Sequence, residues 1–252
     1  MPNDQAESGA GAFATTHWSV VVAAGDATSE RSRAALAELC QAYWYPLYVF
    51  LRRKGVSPDE AQDLTQSFLA DLLARKQISR ADRTLGRFRS FLAASLENFL
   101  HNEWRRRSAQ KRGGGQVPVS LDTVNAEARF ASEPADAENP SLAYDRQWAR
   151  ALLDQAIRAL QQEWERDGRG ALFQEFQAHL WGDATSVPYA ELCARFDLTP
   201  VNLRVTFHRF RQRYRELLRQ AVADTVANEA EIEDELRFLM QVVIASSTAR
   251  SR

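Results

Sequence analysis

The sequence predicts an all-α protein with two helical domains joined by a flexible linker, the second domain containing a helix-turn-helix. Apolar residues recur at intervals of three and four along most of the chain, and no segment shows the two-residue alternation of a half-buried strand. A polar stretch rich in glycine and acidic residues separates the two halves. The chain has 252 residues, 45% of them hydrophobic, which is enough for two apolar cores.

Charged residues are grouped in blocks, although the formal net charge is only −1. Residues 101–112 contain five Lys and Arg against one Glu, whereas residues 122–138 contain five acidic residues and one Arg. Residues 224–237 contain six acidic residues and one Arg. The near-zero sum therefore conceals local basic surfaces of the kind that bind nucleic acid.

The residue types that carry catalysis or metal binding are scattered. Cys40 and Cys193 each lie within an apolar helical pattern, which favours free buried thiols over a disulfide or metal ligands. The histidines are far apart in the sequence: His17, His101, His179 and His208. The glycines of 113–115 precede no Lys-Ser/Thr pair, so they do not form a phosphate-binding loop. We therefore expect that the protein is not an enzyme and uses no metal or other cofactor.

The sequence also predicts where the protein resides. Its N-terminal region has no charged start followed by a continuous apolar run, and no run is long enough to span a membrane. Residues 1–12 are small and polar, which predicts disorder. We expect a cytoplasmic protein without membrane partners.

The first predicted domain covers residues 13–112. Its first long helix, 33–54, contains Pro46, which predicts a kink or a break near Tyr45. The second helix, 58–76, begins at a capping box with Pro58 at the first helical position. Its polar face is acidic and amide-rich, which suits a partner helix, and carries Asp59, Asp63, Gln66 and Asp71.

The third predicted helix, 87–107, follows a polar loop. Its apolar stripe is Phe88, Phe91, Leu92, Ser95, Leu96, Phe99, Leu100 and Trp104. Its exposed side is Arg87, Arg89, Asn98, Asn102, Arg105 and Arg106. Aromatic, Arg and Asn side chains interleaved on one helix favour binding of unstacked bases and their phosphates. The alternative is that the aromatic residues form core, which leaves only the polar face and the loop to DNA.

The sequence predicts a flexible acidic linker at residues 113–143. It predicts the second domain at residues 144–222 and an acidic helical extension at residues 223–252. Helices are predicted at 144–165, 171–181 and 188–196, from Pro200 onward, and at 229–243.

The helix that begins at Pro200 is the more basic member of a helix–turn–helix pattern. Thr199 is a suitable N-cap and Pro200 is tolerated at the first helical position. Residues 201–219 contain six Arg against one Glu. This arrangement is typical of a helix whose first turns enter the major groove while flanking Arg side chains bind phosphates. The alternative is a solvated basic face on an ordinary amphipathic helix.

The order of these segments resembles bacterial sigma factors of the extracytoplasmic-function type. The matching runs are YWYPLYVFLRR, DEAQDLTQSFLADLL and GRFRSFLAASLENFLHNEWRRR, followed by the linker and the helix-turn-helix. FATTHWSVV near the start, with QKRGGGQ after the basic run, is similar to one subgroup of that family. The resemblance covers roughly residues 13–219, and Asp63-Leu64-Thr65-Gln66 followed by Phe68 is its most specific part.

The resemblance implies that the protein binds core RNA polymerase, at its clamp coiled coil and flap, and promoter DNA. The implied polymerase-binding residues are Asp63, Gln66 and Asp71. The implied residues for the downstream promoter element are Arg83, Arg87, Arg89, Asn98, Asn102, Arg105, Arg106 and Arg107. Those for the upstream element are Thr199, Val201, Asn202, Arg204, Val205, His208, Arg209 and Arg211. An anti-sigma protein or another regulator is a further partner that the resemblance allows.

Three features depart from that family. Asp197 stands where the turn usually has Gly, although Asp can adopt a left-handed conformation. Residues 166–187 are longer than the usual connection, and the acidic extension is additional. These segments could hold the second domain shut, bind the polymerase or contact a regulator. The other reading of the chain is a helix-turn-helix regulator that binds duplex DNA without polymerase.

Overall fold

The computed structural model describes residues 30–74, 87–109, 126–133, 139–180 and 188–250. Within these residues every regular element is helical and none is a strand, which confirms the all-α prediction. In chain order the helices are α1 (Glu30–Arg53), α2 (Pro58–Ala74), α3 (Phe88–Ala109), α4 (Ala126–Ala131), α5 (Pro140–Arg166), α6 (Gly170–Leu180), α7 (Tyr189–Arg195), α8 (Pro200–Ala223) and α9 (Ile232–Arg250), with a 3₁₀ turn at Glu229–Glu231.

Helix α1 passes through Pro46, so of the two predicted alternatives the break near Tyr45 is wrong and the kink stays a prediction. Proline removes one backbone hydrogen bond from a helix interior and crowds the preceding turn. The residues on both sides are held by packing, since Tyr43, Tyr45 and 47–51 are all buried. Their burial stabilises the helix more than the missing hydrogen bond weakens it.

The chain divides into two compact units. Unit A comprises Met1–Trp148 together with Ala223–Arg252, and unit B comprises Ala149–Val222. The start of the second unit lies close to the predicted boundary at 144. The C-terminal segment differs from the prediction, because Ala223–Arg252 belongs to the same unit as the first helices and does not form a separate extension.

Part of the predicted linker is helical and belongs to unit A. Helix α4 carries Glu127, which accepts hydrogen bonds from Arg52 Nε and Nη2 at 3.0 and 2.7 Å and from the Tyr48 hydroxyl at 2.6 Å. The hydrogen bonds from Arg52 lower the pKa of Glu127. Burial and the Glu127 contact raise the pKa of Tyr48 to about 12. Sequence composition predicts an acidic linker here, but it does not show that α1 supplies a matching cation.

Aromatic packing organises the centre of unit A. The rings of Tyr43 and Trp148 stack at 4.0 Å and 12°, and Phe88 meets Tyr43 edge-on at 5.9 Å. All three side chains are fully buried. The stack therefore ties α1, the start of α3 and the first part of α5 into one core.

A buried ion cluster lies beside this core. Arg89 is 9% exposed, its Nε donates to Glu235 Oε1 at 2.7 Å, and its Nη1 donates to Asp145 Oδ1 at 2.6 Å. Glu235 Oε2 lies 3.0 Å from Arg87 Nε, and the guanidinium of Arg89 lies 4.2 Å from the centre of the Phe238 ring. Hence α3, α5 and α9 meet at one charged centre.

The prediction that Arg89 lies on the exposed side of its helix is wrong. Its two carboxylate partners are 56 and 146 residues away in the sequence, so no local pattern reveals them. Burial lowers the pKa of Arg89, but its hydrogen bonds and charge contacts with Glu235 and Asp145 outweigh this and raise it overall. Arg89 is therefore a charged structural residue of unit A.

Removing the Glu235 charge should destabilise unit A. We expect Glu235→Gln to lower the free energy of unfolding by about 3 kcal/mol, because Arg89 and Arg87 both lose a buried carboxylate partner and only Asp145 is left to compensate Arg89. Asp234→Asn is the matched control on the same helix; it breaks an exposed pair with Arg237 and should cost at most about 0.5 kcal/mol. Urea denaturation followed by circular dichroism measures both values, and equal losses would contradict a structural role for Glu235.

Candidate nucleic-acid interface

Helices α7 and α8 are joined by residues 196–199. Asp197 has φ 50°, the left-handed conformation predicted for this position. Thr199 Oγ1 accepts from the backbone N–H of Asn202 at 3.2 Å, and the Thr199 carbonyl accepts from the N–H of Leu203 at 2.9 Å. The predicted N-cap and the predicted helix start at Pro200 are therefore confirmed.

The core of unit B fixes the rotation of α8. Phe210 is fully buried, and its ring meets those of Trp164, Phe173 and Phe176 edge-on, with centroids 5.1, 5.7 and 5.5 Å away. The apolar residues of α8 recur at intervals of three and four and form one inward stripe: Leu203, Phe210 and Tyr214 are buried, and Phe207, Leu217 and Leu218 pack against them. Because this side is held in the core, the opposite side of α8 must face outward.

One group of outward residues borders a groove between α7 and α8. The groove has a volume of about 740 Å³, and it is lined by Tyr189, Ala190, Cys193, Pro200, Arg204, Phe207, His208, Arg211 and Arg215. Burial raises the pKa of Tyr189, and the charges of Arg211 and Arg204 oppose this effect. Arg204, His208, Arg211 and Arg215 are four, three and four residues apart, which places them along one side of the helix.

A second group projects from the outer side of α8. It contains Val201 and Val205, which are 66% and 44% exposed, and the exposed residues Asn202 and Arg209. Valine side chains this exposed at the start of a helix contribute nothing to the core of unit B. The upstream-element residues predicted from the sequence thus fall on two adjoining sides of one helix.

The arginines of α8 differ in whether they are neutralised. Arg213 donates to both carboxylate oxygens of Glu163, at 2.9 and 2.8 Å, and to Glu216 at 3.0 Å. Within the described residues, no carboxylate forms a hydrogen bond or ion pair with the four guanidinium groups on the outward sides: Arg204, Arg209, Arg211 and Arg215. Positive charge is therefore left uncompensated on the outward sides of α8.

Tyr189 and Arg215 also line the groove, but neither is among the upstream-element residues predicted from the sequence. The signal for Arg215 is its spacing, since it continues the series of Arg204, His208 and Arg211 by one further turn. Tyr189 carries no such signal, because its place beside Arg204 and Arg211 depends on how α7 packs against α8.

In unit A, the predicted downstream-element residues have different environments. Asn98, Asn102, Arg105 and Arg106 are exposed, and Arg106 donates to Glu103 within the helix at 2.7 Å. Arg87 is half-buried against Glu235, and Arg89 is buried as described above. Arg83 and the side chain of Arg107 lie outside the described residues. The exposed members thus lie from the middle of α3 onward, beginning at Asn98.

Trp104 does not belong to the core, contrary to the predicted stripe. It is 46% exposed, whereas Phe88, Leu92, Leu96 and Leu100 of the same stripe are buried. After Leu100, every side chain of α3 up to position 106 is exposed or half-buried. The helix therefore continues beyond the residues that pack against it, which periodicity alone cannot show.

The predicted polymerase-binding face lies on α2. Leu64 and Thr65 are buried, and the Thr65 hydroxyl donates to the Ala61 carbonyl at 2.7 Å. Asp63 is exposed and Gln66 is half-buried, so these two polar residues of the run turn outward. Asp71 is also half-buried.

Comparison of the chain with family models, with curated proteins and with solved structures gave no match. Among the residues that the structure describes, no helix is long and apolar enough to cross a membrane. Within the same residues, no group of three or more His, Cys, Asp or Glu side chains is placed to hold a metal ion.

The two cysteines should differ in reactivity. Cys40 is 3% exposed and its burial raises the pKa of the thiol to about 11, whereas Cys193 is half-buried and lines the groove. Because the thiolate is the reactive form, a short pulse of N-ethylmaleimide should label Cys193 at least about a hundredfold faster than Cys40. Mass spectrometry of the peptides measures this ratio. Cys193→Ser should remove the fast phase, and comparable labelling of both thiols would contradict the described burial.

Proposed function

We propose that the chain is a sigma factor of the extracytoplasmic-function type, which directs core RNA polymerase to promoters and is not an enzyme. The observation that carries its DNA-binding half is the set of four outward arginines on α8 that lack carboxylate partners within the described residues. The polymerase-binding half rests on the sequence resemblance and on the outward orientation of Asp63 and Gln66. A cytoplasmic location follows from these partners.

In this proposal α7, residues 196–199 and α8 act as a helix-turn-helix that reads the upstream element. Asn202 is suited to bond an adenine edge, and the exposed Val201 and Val205 are suited to contact thymine methyl groups. Arg204 and His208 lie between this outer side and the groove, where they reach base edges or phosphates. Arg209 and Arg211 bind the backbone, which fixes the position of the helix without reading sequence.

The downstream element is bound by the exposed half of α3. Asn98 and Asn102 offer amide groups to base edges, and Arg105 and Arg106 offer charge to phosphates. Arg89 has no such role, because its guanidinium is held by a buried contact with Glu235 and a partly buried contact with Asp145. Strand opening by this surface needs no catalytic group; it needs only tighter binding to the unpaired strand than to the duplex.

Core polymerase is engaged through α2, with Asp63 and Gln66 directed at the clamp coiled coil. Asp71 lies about 80° further around α2 than Asp63, and it is assigned to the same proposed surface on the sequence resemblance. The flap of the polymerase and a separate regulator remain proposed partners on the resemblance alone. The second candidate function, a regulator that acts without polymerase, is favoured by the same uncompensated arginines, since they would bind duplex DNA in either case.

Transcription reconstituted with core polymerase tests the proposal. We expect promoter-specific initiation from fragments of the cognate genome, and we expect Asp63→Arg to abolish it together with the complex with core enzyme. Asp167→Arg is the matched control, because it reverses an exposed charge on a residue that belongs to unit B. A chain that binds duplex DNA but yields no initiation, and whose Asp63→Arg variant behaves like the wild type, would instead be the polymerase-independent regulator.

Substitution of a single α8 arginine tests the DNA-reading surface. Arg204→Ala should weaken binding to the upstream element by about 5- to 100-fold and leave polymerase binding unchanged. Arg213→Ala removes the same charge from the same helix, but from a side chain already paired with Glu163 and Glu216, so it should have a much smaller effect. Electrophoretic mobility shifts with the holoenzyme measure both. Equal losses in DNA and polymerase binding by Arg204→Ala would indicate a structural role.

A further inference from the structure

Trp104 stands out among the side chains that α3 leaves accessible. It is the one large apolar residue among the described residues of this helix that is exposed, at 46%. Its ring meets the ring of His101 edge-on, with centroids 6.2 Å apart and planes at 83°. A single exposed apolar residue is common on protein surfaces, so the surroundings decide whether it has a role.

The surroundings of Trp104 are polar and suited to nucleic acid. Successive helical residues are about 100° apart, so Asn98, His101 and Arg105 all lie within about 120° of Trp104 around the helix. All of them are exposed. Planar polar groups and a guanidinium around an aromatic ring are the usual components of single-strand binding surfaces, where bases stack and the backbone follows the charge.

The acidic residues of this region are already engaged. Glu97 accepts from Lys54 Nζ at 3.0 Å, and Glu103 accepts from Arg106 at 2.7 Å. In the sequence, residues 105–112 continue with five Lys and Arg and no acidic residue. The net local charge therefore attracts a phosphate backbone to the end of α3.

We infer that Trp104 is a stacking platform for an unpaired base of single-stranded DNA, with Arg105 next to the phosphates of the same strand. The choice of DNA as the ligand rests on the proposed function. A protein partner is less well matched, because it would need apolar surface around the tryptophan, and the exposed neighbours of Trp104 on α3 are polar or charged. Tryptophan offers the largest ring for stacking, and the exposed position gives a base access to it.

Binding of fluorescein-labelled DNA to the full chain at low salt tests the inference, with anisotropy measured for a single strand of mixed sequence and for its duplex. Trp104→Leu, which keeps apolar bulk but removes the ring, should weaken single-strand binding by about 5- to 100-fold. Trp104→Phe should stay within about threefold of the wild type, because phenylalanine also stacks. Duplex binding should change little in either variant, because the duplex is bound through α8.

Met240→Ala is the matched control, since Met240 is equally exposed, at 46%, on another helix of unit A. It should leave single-strand binding unchanged. Equal binding by the Leu and Phe variants, equal losses for single strand and duplex, or no single-strand binding by the wild type would each overturn the inference. If single-strand binding depends on Trp104 but the chain does not initiate transcription with core polymerase, the proposed sigma function is wrong and the stacking role of Trp104 is retained.

Discussion

The buried contact of Arg89 with Glu235 and Asp145 is the interaction on which unit A depends. Isolated charges are expensive to bury, so each must find an opposite charge at close range. Arg89 lies between two carboxylates, and Arg87 stands 3.0 Å from the second oxygen of Glu235. Two cations and two anions thus balance one another, and they come from three helices that are distant in the sequence. The position of α9 follows from this balance as much as from its apolar residues.

Charge compensation also separates structural from functional arginines. Arg89 in unit A and Arg213 in unit B each have two carboxylate partners, which hold their guanidinium groups in place. Arg204 and Arg211 carry the same group on the same helix as Arg213, but no described carboxylate reaches them. A polyanion can therefore bind Arg204 and Arg211 without displacing a partner, whereas at Arg89 it would have to replace buried ion pairs.

Local signals in the sequence account for the helices and for the conformation of the turn before α8. Thr199 and Pro200 mark a helix start through their own chemistry, and Asp197 is one of the few residues that accept φ 50°. The apolar residues of α8 recur at intervals of three and four, and they are buried because Phe210 and its neighbours pack against one continuous core. Such properties depend on residues within one or two turns, so they can be derived before any tertiary contact is known.

The properties of the candidate site that could not be predicted all depend on distant contacts. Arg89 and Asn98 look alike in the sequence, as polar residues beside an apolar stripe, but only Arg89 meets Glu235 from 146 residues away. Trp104 continues the stripe of Leu96 and Leu100, yet the packing around α3 ends before it, and this depends on which helices lie opposite. The helix within the predicted linker likewise makes a distant contact, since Glu127 accepts from Arg52, 75 residues away in the sequence.

Unit A is formed from two separate stretches of the chain, and this affects how the functions of the two units can be tested separately. Unit B occupies Ala149–Val222, and unit A supplies the sequence on both sides of it. A fragment limited to residues 13–112 would keep Arg89 and lose both Asp145 and Glu235. Its buried guanidinium would then have no carboxylate partner from α5 or α9, and burial without compensation favours unfolding. Loss of polymerase binding by such a fragment would therefore reflect its missing ion pairs, and it would say nothing about Asp63. The polymerase-binding face and the DNA-reading surfaces are best separated by point substitutions in the intact chain.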